Sequence, residues 1–290
     1  MRTSALRGVK FAPVQGETVM KQLQHYLQQQ ATGNIVSGKC LDEARTRFSL
    51  THAEVERLAL QFSLLPARYQ RNQQAISIAQ QRNLNASRVS VVGCGGLGGY
   101  ILEQLARLGV GRIQIIDGDD FEEHNLNRQL YSSEQVLGES KVDVAARRIR
   151  EINPATLVIP VKARLDSGNA SRLLQDADVV ADAVDNLDTR HLVAATCREL
   201  GLPMVHGAIG GWCGHVTTIY PEDTGLDKIY PQQTGRGIEQ ELGNPAFTPA
   251  VIASLQAAEV CKVLLGAQGQ LRHRQLVVDL LHMEIHEVAL

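Results

Sequence analysis

The sequence predicts an α/β protein: a mostly parallel sheet with helices on both faces, a late antiparallel portion, and a small N-terminal helical appendage. Three observations point there. A short apolar strand, residues 89–92, runs straight into the glycine-rich turn of RVSVVGCGGLGG. From that turn onward strand-like runs alternate with helix-like runs, the pattern of βαβ units. The 290-residue chain is 44% apolar but only 4% aromatic, so Val, Leu, Ile and Ala must fill its core.

Residues 1–66 read as the appendage and 67–290 as the main domain. In the appendage, Val19, Met20, Leu23, Tyr26 and Leu27 fall at helical spacing within residues 17–30. Thr51 and Glu54 form a candidate capping box, and Val55, Leu58, Phe62 and Leu65 line one face of the helix it opens, before Pro66. Residues 67–85 carry Arg68-Tyr69-Gln70-Arg71-Asn72 and then a polar helix-like run.

In the main domain the first strand leads through the glycine turn into a helix through Leu105 and Leu108, stopped by Gly109. Residues 113–116 form the second strand, ending at Asp117, and a helix over 141–152 is ended by Asn153-Pro154. A strand over 157–161, a short helix over 171–174 and a strand over 179–184 ending at Asp185 follow. A helix over 190–200 is closed by Gly201, and the next strand covers 204–207. Residues 214–220 and 276–281 read as later strands. Residues 221–245, rich in Gly, Pro and Gln, read as a long surface loop, and 248–265 as a helix stopped by Gly266.

Composition narrows the function classes. Lys plus Arg is 29 against Asp plus Glu of 31, a net −2. That balance disfavours general nucleic-acid binding. The five cysteines are odd in number and lack C-x-x-C spacing, which argues against a disulfide framework and a cysteine zinc site. No apolar run reads as a bilayer span, and the N-terminus has no signal-peptide layout. The expectation is a reduced, cytoplasmic protein with no membrane partner.

A G-x-G-x-x-G match becomes a nucleotide-site hypothesis when it joins a strand to a helix. Gly93, Gly95 and Gly98 fill its three positions, and the helix that follows aims its free N–H groups at the same spot. Asp117, at the end of the second strand, suits ribose hydroxyls; that position serves a dinucleotide equally well. Arg128 and Lys141 add fixed cations near the loop, which suits phosphoryl or nucleotidyl transfer, although either alone reads more readily as a solvated surface residue. Asp185 can hold Mg²⁺ or cap the next helix.

Taken in order, Arg68-Tyr69-x-Arg71, G-x-G-G-L-G from Gly93 to Gly98, Asp117-x-Asp119, Asn125-Leu126-x-Arg128-Gln129, Gly138-x-x-Lys141 and Asp185-Asn186-x-x-x-Arg190 resemble the ThiF/MoeB/HesA family of adenylyltransferases. These are ubiquitin-activating-enzyme-like proteins that activate ubiquitin-like sulfur carriers. The late Ala257-x-Glu259-x-x-Lys262 is also similar to the family pattern. The resemblance covers residues from about 67 to 290 and implies a Rossmann-like fold. It implies ATP and Mg²⁺, with Gly96 and the rest of the loop against the nucleotide. Asp117 would hold the ribose, with Asp119, Gln129 and Asn186 also at the nucleotide. Asn125, Arg128 and Lys141 would contact phosphates, and Asp185 would position Mg²⁺ and the α-phosphate. Arg71 would reach the other subunit's ATP across a homodimer interface. The implied partner is a small β-grasp sulfur carrier protein whose C-terminal carboxylate is adenylated. Adenylation of a non-protein carboxylate or tRNA-modification substrate, a non-catalytic carrier-binding module and a nicotinamide oxidoreductase are the alternatives.

Two departures matter. The paired C-x-x-C motifs that hold structural zinc in many members are absent, so no zinc is expected. The 221–245 loop contains no cysteine, so a thioester or persulfide step through it is not expected. Cys94 and Cys197 read as structural, with Cys94 open to activation by the helix N-terminus. His206 reads as the end of a strand near the site and, with Trp212, as a candidate lining of a carrier-tail channel. His282, Glu284 and His286 would share a face if the last segment is a strand.

Overall fold

The computed structural model describes residues 13–231 and 242–290. It divides into two compact units, Met1–Arg82 and Asn83–Leu290.

In the first unit, α1 (Pro13–Gln30) begins earlier than its apolar stripe requires. A two-residue strand β1 (Ile35–Val36) precedes α2 (Gly38–Phe48) and α3 (His52–Gln61). Sequence periodicity did not single out α2; its signal is local, since the Ser37 side chain accepts from the Cys40 amide as an N-cap. The Thr51–Glu54 capping box is present in full. Leu23, Leu27, Val36, Leu41, Ala44, Val55 and Leu58 form the core. β2 (Leu65–Pro66) pairs in parallel with β1. The chain does not leave this unit at Pro66, where the sequence placed the boundary. Tyr69, on the 3₁₀ turn Ala67–Asn72, is fully buried with Leu60 and Leu65, and its hydroxyl donates to Glu56 at 2.6 Å. That anchoring carries the division on to Arg82, inside α4 (Ile78–Ala86).

The second unit is built on an eight-stranded sheet. Its strands are β3 (Arg88–Val92), β4 (Arg112–Asp117), β5 (Leu157–Lys162), β6 (Val179–Asp182), β7 (Met204–Gly210), β8 (Cys213–Ile219), β9 (Arg274–Asp279) and β10 (Glu284–Ala289). The spatial order is β10-β9-β8-β7-β6-β3-β4-β5. The five strands from β7 to β5 are parallel, and β8, β9 and β10 add antiparallel pairs. Between them run α5 (Gly96–Leu108), α6 (Lys141–Ile152), α7 (Ala170–Leu174), α8 (Leu187–Leu200), α9 (Gly225–Ile229) and α10 (Phe247–Leu265).

Alternate strand residues point to opposite faces. Val89, Val91, Ile113, Ile115 and Ala181 pack with α5, α6 and α10. Val92, Ile116, Val180 and Met204 pack with α7 and α8 on the other face. The glycines after α5, α8 and α10 adopt left-handed C-caps, as their positions in the sequence required.

Several expectations need correction. β6 stops at Asp182, so Asp185 lies in the turn beyond it. β7 runs on to Gly210, which places His206 inside the strand. The expected 221–245 loop contains α9; residues 232–241 of it lie outside the described residues. His282 sits in the β9–β10 turn, bonded to Asp279, so only Glu284 and His286 share a strand face. α10 does meet the length and hydropathy of a bilayer span. Here it is the core helix of the sheet: Ile252, Ala253 and Val260 are buried in the main core, and Ala257 is buried as well, alongside the buried polar Thr248, Gln256 and Glu259.

Candidate active site

The site is assembled at the carboxyl ends of β3, β4 and β6, where open parallel sheets place ligands. Gly93 leaves β3 with φ +95°, and a Cβ there would collide with the Ala183 carbonyl. A Cβ on Gly98 would strike the Gly93 carbonyl. Gly93 therefore lets the β3–α5 turn nest against the β6–α8 turn, and Gly98 lets the β3–α5 turn close on itself. Gly95 and Gly96 differ: an added Cβ would find only ordinary contacts, Gln129 at 3.5 Å and Pro249 at 3.4 Å. Nothing in the protein backbone forbids a side chain's volume there, which leaves the space above the α5 N-terminus for a ligand.

Asp117 ends β4 and ties the loop down. Its Oδ2 accepts the Cys94 amide at 2.7 Å and its Oδ1 the Asp119 amide at 2.8 Å. Burial raises its pKa above the ordinary carboxylate value, partly opposed by those amides and by Lys141. Cys94, read from sequence as structural but open to activation by the helix N-terminus, is buried, and burial pushes its pKa up. Desolvation here overrides the helix N-terminus. Burial likewise raises Cys197 to about 12.

Lys141 opens α6 with its side chain only 8% exposed. Its ammonium faces Asp119 Oδ2 at 3.5 Å, and its amide donates to the Asp119 carbonyl at 3.1 Å. Arg164 reaches the other Asp119 oxygen at 3.3 Å. Asp119 thus holds cations in this structure. Arg128 is half-buried beside the loop, its Cγ 3.8 Å from the Cβ position of Gly96. Its Nη1 donates to the His124 carbonyl at 3.0 Å and to Asn127 at 2.8 Å. The two cations expected from sequence therefore belong to one neighbourhood, on either side of the glycine turn.

Asn125 is buried, and its Oδ1 accepts the Glu122 amide at 3.0 Å, closing the turn that presents Arg128. Gln129 is buried beside Gly95, and its Oε1 has no hydrogen-bond partner among the described residues. A buried polar atom left over at the mouth of a glycine loop is what a ligand would satisfy. Asp185 is exposed in the β6–α8 turn. Asn186, not Asp185, caps α8, accepting from the Thr189 amide at 2.8 Å. The Asp185 carboxylate accepts a long 3.5 Å bond from Asn186 Nδ2 and is a hard oxygen donor of the kind a magnesium ion takes. Arg71 is exposed on the 3₁₀ turn of the first unit.

The sequence passed over a second layer beneath this one. Asp182 is fully buried and accepts from Arg190 Nε at 3.1 Å, from His206 Nδ1 at 2.7 Å and from the Val184 amide at 3.1 Å. Arg190 and His206 hold its pKa below the ordinary carboxylate value despite burial. The motif spacing included Arg190 but gave it no role. The signal available was register: Asp182 and His206 are paired positions on neighbouring strands. His206 is fully buried and so does not line a channel. Trp212 is exposed and packs on Phe247, ring centroids 4.5 Å apart.

Comparison with known proteins follows the same outline. The model of the ThiF family matches residues 69–290. A Haloferax volcanii protein named SAMP-activating enzyme E1 is 36% identical over 211 residues, 72% of this chain and 78% of that protein. A Thermus thermophilus sulfur carrier protein adenylyltransferase is 38% identical over 217 residues, 72% of this chain and 80% of that protein. The chain spans less than half, 46%, of a matching maize adenylyltransferase and sulfurtransferase. Among solved structures, E. coli MccB with ATP shares the fold at a TM-score of 0.63 and 19% identity, over 93% of this chain and 87% of that one.

Proposed function

This chain belongs to the ThiF family, and from that premise we propose that it adenylates the C-terminal carboxylate of a small β-grasp sulfur carrier protein. The carboxylate oxygen attacks the α-phosphorus of ATP, the bond to the bridging oxygen of pyrophosphate breaks, and an acyl-adenylate and pyrophosphate leave. No protein nucleophile is needed. Positioning and charge stabilisation carry the step.

The single observation that carries this reading is the grouping of Lys141, Arg128 and the α5 N-terminus around a glycine loop whose outer face is open. Two cations and a row of amides offset more negative charge than a pyrophosphate bridge held by backbone alone requires. Asp117 and the Gly95–Gln129 neighbourhood would take the ribose and the adjoining phosphate. Asp185 would hold Mg²⁺, which when bound offsets phosphate charge. Support for the substrate comes from the relatives' names, which include carrier activation. The five cysteines are free, in keeping with a reduced cytoplasmic setting. Arg71 would complete the ATP site of the other subunit in a homodimer.

ATP–pyrophosphate exchange with Mg²⁺, with and without a Gly-Gly-ended carrier, tests this. Exchange that depends on the carrier and falls about 10²–10³-fold in both Lys141→Ala and Asp185→Ala supports it. ATP binding without exchange across several carriers would refute carrier adenylation and leave a different carboxylate or a binding module.

A further inference from the structure

We propose that His206 is a positioning residue for the turn that carries Asp185, acting through Asp182 and backed by His215 and Tyr230. The inference rests on the adenylation reading for its kinetic consequence, but the geometry stands without it.

The β6–α8 turn is shaped by side chains, not by regular structure. Asp182 grips it from within: Oδ1 accepts the Val184 amide at 3.1 Å. Arg190 grips it from outside, Nη2 donating to the Val184 carbonyl at 2.6 Å while Nε returns to Asp182 Oδ2 at 3.1 Å. Both clamps pass through Asp182, and the shortest bond to that carboxylate comes from His206, at 2.7 Å. The turn has little room to drift, because Ala183 lies against Gly93 of the glycine loop. A shift of Val184 therefore moves Asp185 relative to that loop, and small displacements of a positioned group are costly in rate.

His206 can do this in one protonation pattern. Asp182 is ionised, so Nδ1 carries the hydrogen that faces it, and in the neutral ring Nε2 is an acceptor. Nε2 lies 3.2 Å from His215 Nε2 and 3.3 Å from the Tyr230 hydroxyl. Tyr230 in turn is 3.2 Å from His215 Nε2 and accepts from Arg190 Nη1 at 3.1 Å. A consistent set has His215 Nε2–H donating to Tyr230 and the Tyr230 hydroxyl donating to His206. Adding a proton to His206 would set N–H against N–H or O–H across this triangle. The charged and titratable groups facing the pair are Asp182 from β6, Arg190 and Cys197 from α8, and Tyr230 following α9. The network thus fixes His206 as a neutral Nδ1 donor.

The test compares His206→Ala with His206→Asn, whose side-chain amide can replace the Nδ1 donor. In exchange assays His206→Ala should lower kcat by about 10–100-fold with the KM for ATP changed much less. His206→Asn should recover most of kcat and lose the acid limb of the pH profile. Hydrogen exchange of the Val184 amide reads the turn without any substrate: it should speed up in His206→Ala and stay protected in His206→Asn. Wild-type protein that binds ATP but shows no exchange refutes the adenylation reading alone, and the Val184 amide still decides this one. Unchanged kcat and unchanged Val184 protection in His206→Ala would overturn the inference. So would equal losses in both variants that merely track melting temperature.

Discussion

Asp182 and His206 are register partners on adjacent parallel strands, and their side chains meet at 2.7 Å with neither exposed to solvent. A bond of that kind, with the Arg190 guanidinium closing it at 3.1 Å, ties stability to protonation.

Asp182→Asn should destabilise the protein by about 3–5 kcal/mol, because it leaves Arg190 buried without its counter-charge. The pH dependence follows from the lowered Asp182 pKa. A carboxylate that ionises more readily in the folded than in the unfolded chain contributes stability above the unfolded pKa of about 3.9, and that stability is lost as pH falls through the folded value. Urea denaturation at a series of pH values should show the difference between Asp182→Asn and wild type shrinking in acid. A constant difference down to pH 2 would contradict this origin.

His215 gives a second pH effect in a separate window. Burial, then His206 and Arg190, depress its pKa from 6.5 to about 3. The neutral ring is the form that fits, so the unfolded chain binds the extra proton between those values. Stability is full above about pH 6.5 and falls toward pH 3, at up to about 1.4 kcal/mol per pH unit for one proton. His215→Gln removes that proton and should flatten the curve by this slope while retaining a donor near Tyr230. An unchanged slope would show that His215 titrates normally.

Gly93 and Gly96 should separate folding from binding. At Gly93 an alanine meets both a positive φ and the Ala183 carbonyl, so Gly93→Ala should cost about 2 kcal/mol or more in melting experiments. Gly96 begins α5, with 3.4 Å of room to Pro249. Gly96→Ala should therefore melt within about 0.5 kcal/mol of wild type. Its methyl group, beside Arg128, should still weaken ATP binding about tenfold or more. Calorimetry paired with ATP titration measures both. Wild-type ATP affinity in Gly96→Ala would move the nucleotide away from this face of the loop.

What was legible in the sequence was local. The glycine turn and Asp117 lie within one strand–helix–strand stretch, with Arg128 in the connection that follows and Lys141 at the start of the next helix, and their spacing encodes their meeting. Gly109, Gly201 and Gly266 marked helix ends because left-handed C-caps favour glycine. Less legible were contacts set by register and packing. Asp182 reads as the interior of an apolar strand, and Asp185, three residues on, attracts the eye as a strand end. Nothing near Tyr230 in the sequence shows that it meets His206 and His215. The appendage boundary slipped for the same reason: Pro66 looks like a stop, but Tyr69 beyond it is buried against Leu60 and Leu65.

Arg71 carries the proposal that reaches beyond one chain. If it serves the other subunit's ATP, each site needs Lys141 from one chain and Arg71 from its partner, and a homodimer is obligatory for activity. Arg71→Ala and Lys141→Ala should each be inactive alone, while their mixture should recover activity. In a mixed dimer one site lacks both groups and the other has both intact. With random exchange of subunits about half the dimers are mixed, so about a quarter of wild-type activity should return. Arg71→Ala and Lys141→Ala remaining inactive together, with light scattering confirming that mixed dimers had formed, would place Arg71 in its own subunit's site. Full activity of Arg71→Ala by itself would remove the residue from the site.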